Sequence, residues 1–265
     1  MKKKPLKVYW WRGAANSVNI GDEINGKIVE YTSARKIERT TIEHAEVLAI
    51  GSVIDFPQRN GCLRNRLSPY FVWGSGSMAS AEIEHQEKYH LAALRGPLTS
   101  SLFHQYGQIP YGDPGLLISR IWEADNHKKY SWGIVPHHSQ KDRPWVKKII
   151  ENTPNSVFID VQNPDIDSTL KTVSQCDAIA SSSLHGLIFA DSYNIPSLWL
   201  WDGGLHSGGQ WKFLDYFSGI RRNIKDPTGV RTLDDMRNID ISQIRTRHFR
   251  EIESISKRLI QAFPI

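Results

Sequence analysis

Between Asp177 and Leu200 the chain reads as strand, polar turn, helix and strand, and this succession restricts the fold more than any other stretch. Ala178 to Ala180 is a short apolar run ended by Ser181, Ser182 and Ser183. From Leu184 the spacing becomes helical, with Leu184, Leu187 and Ile188 on one apolar face. Asn194-Ile195-Pro196 breaks that helix, and Ser197 to Trp201 resumes as a strand. The result is a βαβ unit. Its turn sets hydroxyls and His185 at a helix N-terminus, where free backbone N–H groups and the helix dipole favour an anion, most simply a phosphate. The plainer reading stands beside it: the serines cap the helix, and His185 is a core or surface histidine.

The same punctuation recurs along the chain. Lys7 to Trp10 reads as a strand, and Asn19-Ile20-Gly21-Asp22-Glu23 opens a helix through about Thr32 with Asp22 as N-cap. The strand Val47 to Ile50 runs into Gly51-Ser52, and Tyr70 to Trp73 runs into Gly74-Ser75-Gly76-Ser77, a turn that lets a ligand approach the backbone. Neither a GxGxxG fingerprint nor a Walker lysine is present, so a dinucleotide or ATP fold is not indicated. After the strand Leu91 to Leu94, Arg95-Gly96-Pro97-Leu98-Thr99 starts a helix expected to reach about Tyr106. Arg95 thus stands at a strand end facing a helix start, suited to a bidentate carboxylate or phosphate contact or to a surface ion pair. Asp113 in Gly112-Asp113-Pro114 caps a following short helix.

A polar stretch from Trp122 to Tyr130 reads as a linker, giving an N-terminal α/β domain over 1–124 and a C-terminal one over 125–265. The second series runs through the strand Trp132 to Pro136, the loop His137-His138-Ser139, the helix Trp145 to Glu151, the strand Val157 to Val161 and the helix Asp167 to Gln175. A glycine-rich loop follows Trp201, then Trp211, Phe213, Tyr216 and Phe217 in helical register, and a long amphipathic helix from Ile241 to Phe263. In parallel α/β sheets, ligands bind outside the strand C-termini. The Asn19 loop, Gly51-Ser52, Gly74-Ser75-Gly76, Arg95, His137 and Ser183-Leu184-His185 all fall there.

Composition narrows the partners. A net charge of +5 without a dense basic block gives nucleic-acid binding little support and suits an anionic small substrate. Cys62 and Cys176 are distant and form no metal motif, and His137-His138 lacks a one-face ligand spacing, so no metal is expected and a reduced, cytoplasmic compartment is. No apolar run approaches the ~20 residues that span a bilayer. The basic start Lys2-Lys3-Lys4 has no hydrophobic region behind it to make a signal peptide, but allows peripheral contact with an inner membrane face. Among nine tryptophans, Trp201 and Trp211 lie beside the expected site and suit the face of a sugar.

Asn19-Ile20-Gly21-Asp22, the Gly51-Ser52 and Gly74-Ser75-Gly76 turns, Arg95-Gly96-Pro97-Leu98-Thr99, Gly112-Asp113-Pro114, Ser183-Leu184-His185-Gly186 and Asn194-Ile195-Pro196 together resemble the polysaccharide pyruvyl transferase family, in the family's order, over roughly residues 7 to 201. The resemblance implies two Rossmann-like domains facing across a cleft (a GT-B-like pair), with the C-terminal helix crossing back to the first domain. It implies transfer of a pyruvyl group from phosphoenolpyruvate to two hydroxyls of a sugar in a surface polysaccharide or exopolysaccharide, giving a cyclic ketal and phosphate without a cofactor; the saccharide acceptor can be lipid-linked. Arg95 would clamp one anionic group of the donor; Ser183, Leu184, His185 and the helix end would hold the other. Asp22 or Asp113 would be the base, and His185 would protonate the leaving phosphate. Asn19, Gly21, Ser52, Gly74, Ser75, Gly76 and His137 would line the site, Trp201 and Trp211 would meet the sugar, and the loop from Gly203 to Gly209 would close over it. Many members carry Arg-Leu-His where this chain has Ser183-Leu184-His185, and that arginine binds phosphoenolpyruvate. Its charge would come here from Arg12, Lys212 or Arg221, or the donor differs. A nucleotide-sugar glycosyltransferase and a non-catalytic glycan-binding relative stay open as alternatives; the first is disfavoured by the lack of a glutamate at the usual ribose-binding position.

Overall fold

A computed structural model describes residues 4–13, 17–104, 107–203, 209–224, 226–230 and 236–264. Among the described residues, ten strands form two parallel five-stranded sheets. The first contains β1 (Leu6–Tyr9), β2 (Ile37–Arg39), β3 (Val47–Leu48), β4 (Tyr70–Trp73) and β5 (Tyr89–Ala93), in the order β2-β1-β3-β4-β5. The second contains β6 (Tyr130–Val135), β7 (Ser156–Phe158), β8 (Cys176–Ser181), β9 (Ser197–Trp201) and β10 (Thr228–Gly229), in the order β10-β9-β8-β6-β7. Counted from its own first strand, the second sheet repeats the 2-1-3-4-5 order of the first. Strand order reverses between β1 and β3 in one sheet and between β6 and β8 in the other. Such a switch point opens a crevice at the strand C-termini, because the flanking connections leave on opposite faces.

The helices follow from local signals. Asn19, in extended conformation, caps α1 (Ile20–Glu23) by accepting the Gly21 N–H at 3.0 Å. Asp22, expected as the cap, lies inside that helix and is buried. The helix α2 (Asn25–Ser33) ends at Ala34 in the left-handed region, and α3 (Phe56–Arg59) follows β3. The helix α4 (Pro97–Ser100) is shorter than expected: the backbone tightens through Leu102 N–H to Thr99 O and Phe103 N–H to Ser100 O, and residues 105 and 106 lie outside the described set. In the second half stand α5 (Pro144–Asn152), α6 (Ile166–Ser174), α7 (Leu184–Ser192), α8 (Trp211–Gly219) and α9 (Phe249–Gln261). The long helix expected from Ile241 is divided. Ile241–Gln243 forms a 3-10 turn capped by Asp240, Ile244 is extended, and α9 begins only at Phe249.

The helix α7 shows why it anchors the fold. Every residue from Leu184 to Ser192 except His185 is buried, so the helix expected to bury one apolar face is enclosed on nearly all sides. The largest core cluster joins Leu6, Val8 and Ile28 of one half to Ile179, Leu187 and Phe189 of the other. Ile252, Ile255 and Leu259 form the buried stripe of α9, and the Trp73 indole N–H donates to Leu259 O at 2.7 Å, tying the last helix to the first sheet. The Ile20 N–H to Val161 O bond, 2.7 Å, is a further tie between the halves.

Candidate functional site

Both switch points open onto one cavity of about 380 Å³. Its wall is assembled from residues just beyond strand ends: Trp11 after β1, Gly51 to Val53 after β3, Met78 after β4, Arg95 after β5, His137 to Ser139 after β6 and Ser183 to His185 after β8. Asn19, Asp22, Asp113 and Lys212 complete the chemistry. Of the residues singled out in the sequence, Asn19, Asp22, Ser52, Arg95, Asp113, His137, Ser183, Leu184 and His185 line this cavity.

The triple serine is knitted rather than free. Ser181 Oγ lies 2.8 Å from Val135 O and 2.7 Å from Ser183 O, and it accepts the Ser183 N–H. Ser182 Oγ accepts the His137 N–H at 3.0 Å, fixing the β6 loop to the β8 loop. Ser183 occupies the N-cap position of α7 without a side-chain cap bond. Three ring systems stand side by side, Trp11 with His138 at 5.8 Å and His138 with His137 at 4.1 Å. His185 packs directly over Gly21, where a Cβ would stand 1.9 Å from Nδ1, so residue 21 must be glycine for the ring to sit there.

Burial sets the proton affinities. Asp22 is pushed up to about 8 by burial, reinforced by Glu23 and Asp113 and opposed by Lys212. Asp113 is pushed up to about 6 by burial, against the pull of its bond to the Gly115 N–H and of Arg95. Its Oδ1 caps the 3-10 helix Pro114–Arg120 at 2.8 Å, while its buried Oδ2 has no hydrogen-bond partner among the described residues. Burial lowers His185 to about 3, with Lys212 and Arg95 adding to the effect. The imidazole is therefore neutral near pH 7: it can donate or accept a hydrogen bond, but it is not the imidazolium needed to protonate a leaving phosphate. Lys212 is lowered to about 8 by burial and by Arg95, with Asp22 acting the other way.

Arg95 is not an open clamp. Its Nε donates to Asp215 Oδ2 at 2.9 Å, Nη1 to Ser52 Oγ at 2.5 Å and Nη2 to Ser77 O at 2.6 Å. Asp215 also accepts the Thr99 N–H and hydroxyl at 2.9 and 2.7 Å. The Arg95-to-Thr99 motif is thus a joint onto α8, with one hydrogen on each terminal guanidinium nitrogen left over. A Cβ on Gly96 would meet Asp215 O at 1.9 Å, which explains the glycine.

The other predicted residues support the wall or lie elsewhere. Gly74, at φ +82°, packs against Pro114, and Gly76 packs against the Arg95 guanidinium. Ser75 Oγ donates to Gly51 O at 3.0 Å. Trp201 lines a separate cavity with Arg143, Trp145 and Asp202, and Trp211 is absent from the lining of the first. Both were expected to face the sugar, but Trp201 packs edge-on against Trp199 and Phe213. Residues 204–208 of the loop expected to close over the site lie outside the described residues. Of the three cations considered as substitutes at position 183, Arg12 is held by Glu23 at 2.5 and 2.8 Å and Arg221 is exposed near Glu251; Lys212 alone lines the cavity. Sequence reasoning missed Trp11, His138 and Asp215, although the first two do follow strand ends. Among the described residues no three His, Cys, Asp or Glu side chains are grouped to hold a metal ion, and no helix is long and apolar enough to cross a membrane.

Fold and cavity together define an α/β protein with a cavity at paired sheet switch points, lined by Arg95, Lys212, Asp22 and Asp113. Residues 87–203, the segment that carries Arg95, Asp113, His137 and Ser183 to His185, match the polysaccharide pyruvyl transferase family. The chain is similar to the uncharacterized protein L143 of Acanthamoeba polyphaga mimivirus, with 29% identity over 235 residues, covering 83% of this chain and 77% of that protein. It is also similar to the succinoglycan biosynthesis protein ExoV of Rhizobium meliloti (strain 1021), with 22% identity over 221 residues, covering 80% of this chain and 64% of that protein.

Proposed function

We propose that the protein transfers a pyruvyl group from phosphoenolpyruvate to two hydroxyls of a saccharide, forming a cyclic ketal and releasing phosphate. The observation that carries this reading is the pairing, in one cavity within reach of the family-matched segment, of two buried cations with two buried carboxyls of different proton affinity. The two halves, 1–124 and 125–265, would act as acceptor side and phosphate side of a GT-B-like cleft.

The reaction needs a proton on the donor's methylene carbon, attack of one hydroxyl on the resulting oxocarbenium-like carbon, loss of phosphate and closure by the second hydroxyl. Of the two hydroxyl protons, one replaces the proton given to the methyl group and one leaves with phosphate. Environments that push two carboxyls apart assign acid and base. Asp22, held up to about 8, is mostly protonated at neutral pH and suits the carbon acid. Asp113, at about 6, is mostly ionised there and suits the base for a hydroxyl. His185, neutral, serves as a hydrogen-bond donor to a phosphate oxygen, and Arg95 offers its two remaining hydrogens to the donor. The scheme draws on no cofactor. The acceptor would be a unit of a surface polysaccharide, on a lipid carrier at the inner membrane face or free; Lys2 and Lys3, the residues expected to touch such a surface, lie outside the described residues.

Thermal-shift titrations with phosphoenolpyruvate, UDP, GDP and CMP test the reading, since a ligand that binds only the folded chain raises its Tm. Stabilisation by phosphoenolpyruvate alone is expected. Stabilisation by a nucleotide without phosphoenolpyruvate would replace this reading with a glycosyltransferase.

A further inference from the structure

A second cavity, about 900 Å³ against about 380 Å³ for the first, opens beyond the strand ends of the second sheet. Trp201 closes β9 and Asp202 follows it, Val230 follows β10, and Arg143 to Trp145 open α5 in the connection that leaves β6. No described residue lines both cavities, yet one stretch of chain furnishes a wall of each. His137 to Ser139 line the first. The Gln140 N–H donates to His137 O at 2.7 Å and the Arg143 N–H to Gln140 O at 2.9 Å, and from Arg143 to Trp145 the chain lines the second. Gln140 is fully buried, and its Nε2 donates to Asp202 Oδ1, pinning this connection to the end of β9. The second cavity is thus the neighbour of the first along the same sheet edge, with room for a ligand larger than one sugar ring.

Its chemistry is that of two anchored indoles. Trp145 and Trp201 are both half-buried, so each keeps part of its ring open. Trp201 is held edge-on by Trp199 and Phe213, at interplanar angles of 70° and 89°. Trp145 is set by its indole N–H, which donates to Asp202 Oδ2 at 3.0 Å. Asp202, gripping Gln140 and Trp145 at once, positions the wall. Rings fixed in this way present apolar faces that can cover the C–H face of a sugar, while the hydroxyls around its rim turn to the exposed Arg143 and to water. A nucleoside diphosphate suits the wall less. Pro144 takes a first-turn position of α5 and offers no N–H, and a phosphate there would meet the Asp202 carboxylate bonded to Trp145.

We infer that this cavity is a second saccharide subsite, which holds the part of the acceptor chain next to the unit modified in the first cavity, on the rings of Trp145 and Trp201. The inference rests on the proposed acceptor being a saccharide, and its test separates the two. The full chain is screened on an array of neutral and acidic glycans, from monosaccharides to octasaccharides. The best-bound glycans, together with phosphoenolpyruvate, UDP, GDP and CMP, are then titrated by calorimetry into the wild type, Trp145→Ala, Trp201→Ala and Arg143→Ala. Oligosaccharides should bind, each tryptophan variant should weaken them by about tenfold, and Arg143→Ala should weaken them by about threefold. Should an alanine variant not fold, the wild type still decides. The indole N–H signals of Trp145 and Trp201, assigned in NMR spectra with Trp145→Phe and Trp201→Phe, must move when the glycan is added, while that of Trp73, bonded to Leu259 O, stays. No glycan bound on the array, glycan binding that both tryptophan variants leave intact, or a nucleotide whose binding disappears with the tryptophans overturns the subsite. Oligosaccharide binding that needs the tryptophans, in a chain that does not bind phosphoenolpyruvate, upholds the subsite and overturns pyruvyl transfer instead.

Discussion

Asp191 and Asp113 are both buried aspartates next to an arginine, and their environments drive them in opposite directions. Burial alone would raise both. At Asp191, Arg222 at 3.0 Å, His248 at 2.8 Å and the Tyr216 hydroxyl at 2.9 Å outweigh burial and hold the carboxyl below its usual range. Ser197 takes two further bonds from Arg222, so α7, α8, β9 and the start of α9 meet in a closed knot. At Asp113, one oxygen caps a turn and the other has nothing among the described residues, so burial prevails. The knot behind α7 is built to hold the fold. The cavity in front of α7 keeps Asp113 Oδ2 buried without a hydrogen-bond partner among the described residues, the pattern expected where a ligand is to supply one.

The sharpest way to break this contrast is to remove the two carboxylates. Asp191→Ala leaves Arg222 buried without its partner and should cost about 3–5 kcal/mol in denaturant unfolding. Asp113→Asn keeps an oxygen for the Gly115 N–H and should leave stability unchanged or raise it. Equal losses from both would erase the distinction.

A smaller effect sharpens it through pH. Asp113 has a raised affinity for its proton in the fold, so its contribution is fully present below the unfolded value near 4 and is lost as pH rises through about 6. Asp191 is the reverse: its contribution is present above the unfolded value and is lost as pH falls through its depressed folded one. Asp113→Asn should therefore gain stability relative to the wild type between pH 4 and pH 8, on the order of 2 kcal/mol, as read from melts at both pH values. Neighbouring serines give the smallest contrast. Ser181→Ala removes the hydroxyl that joins Val135, Ser183 and the α7 entry, and should cost about 1–2 kcal/mol. Ser183→Ala removes no cap bond and should stay within about 0.5 kcal/mol while weakening anion binding.

The parallel units were legible because their strands are apolar runs stopped by small or polar residues, as at Val47-Leu48 before Gly51-Ser52 and at Ala178 to Ala180 before the serines. The edge strands β2 and β10 were not. Ile37-Glu38-Arg39 carries one apolar residue and Thr228-Gly229 none that packs like a core strand, which is how edges are kept from pairing further. Site loops could be placed by their position after strand ends, yet the behaviour of Arg95 could not. Its partner Asp215 lies 120 residues away, and only the docking of α8 turns a surface-clamp motif into a buried joint. Of the three cations considered for the charge that position 183 lacks, the same docking brings Lys212 into the cavity lining. Trp201, half-buried, lies on a separate cavity from the one the strand ends frame, and its ring contacts are with Trp199 and Phe213.

The most direct test follows the aspartate carboxyl carbons by NMR from pH 3 to pH 9, assigned with Asp22→Asn, Asp113→Asn and Asp191→Asn, with and without phosphoenolpyruvate. The account predicts titrations near 8 for Asp22 and near 6 for Asp113, both displaced when phosphoenolpyruvate is added, and an Asp191 carboxyl that stays ionised to low pH and ignores the ligand. Ordinary titration of all three near 4, or a response to phosphoenolpyruvate at Asp191 and none in the cavity, would contradict it.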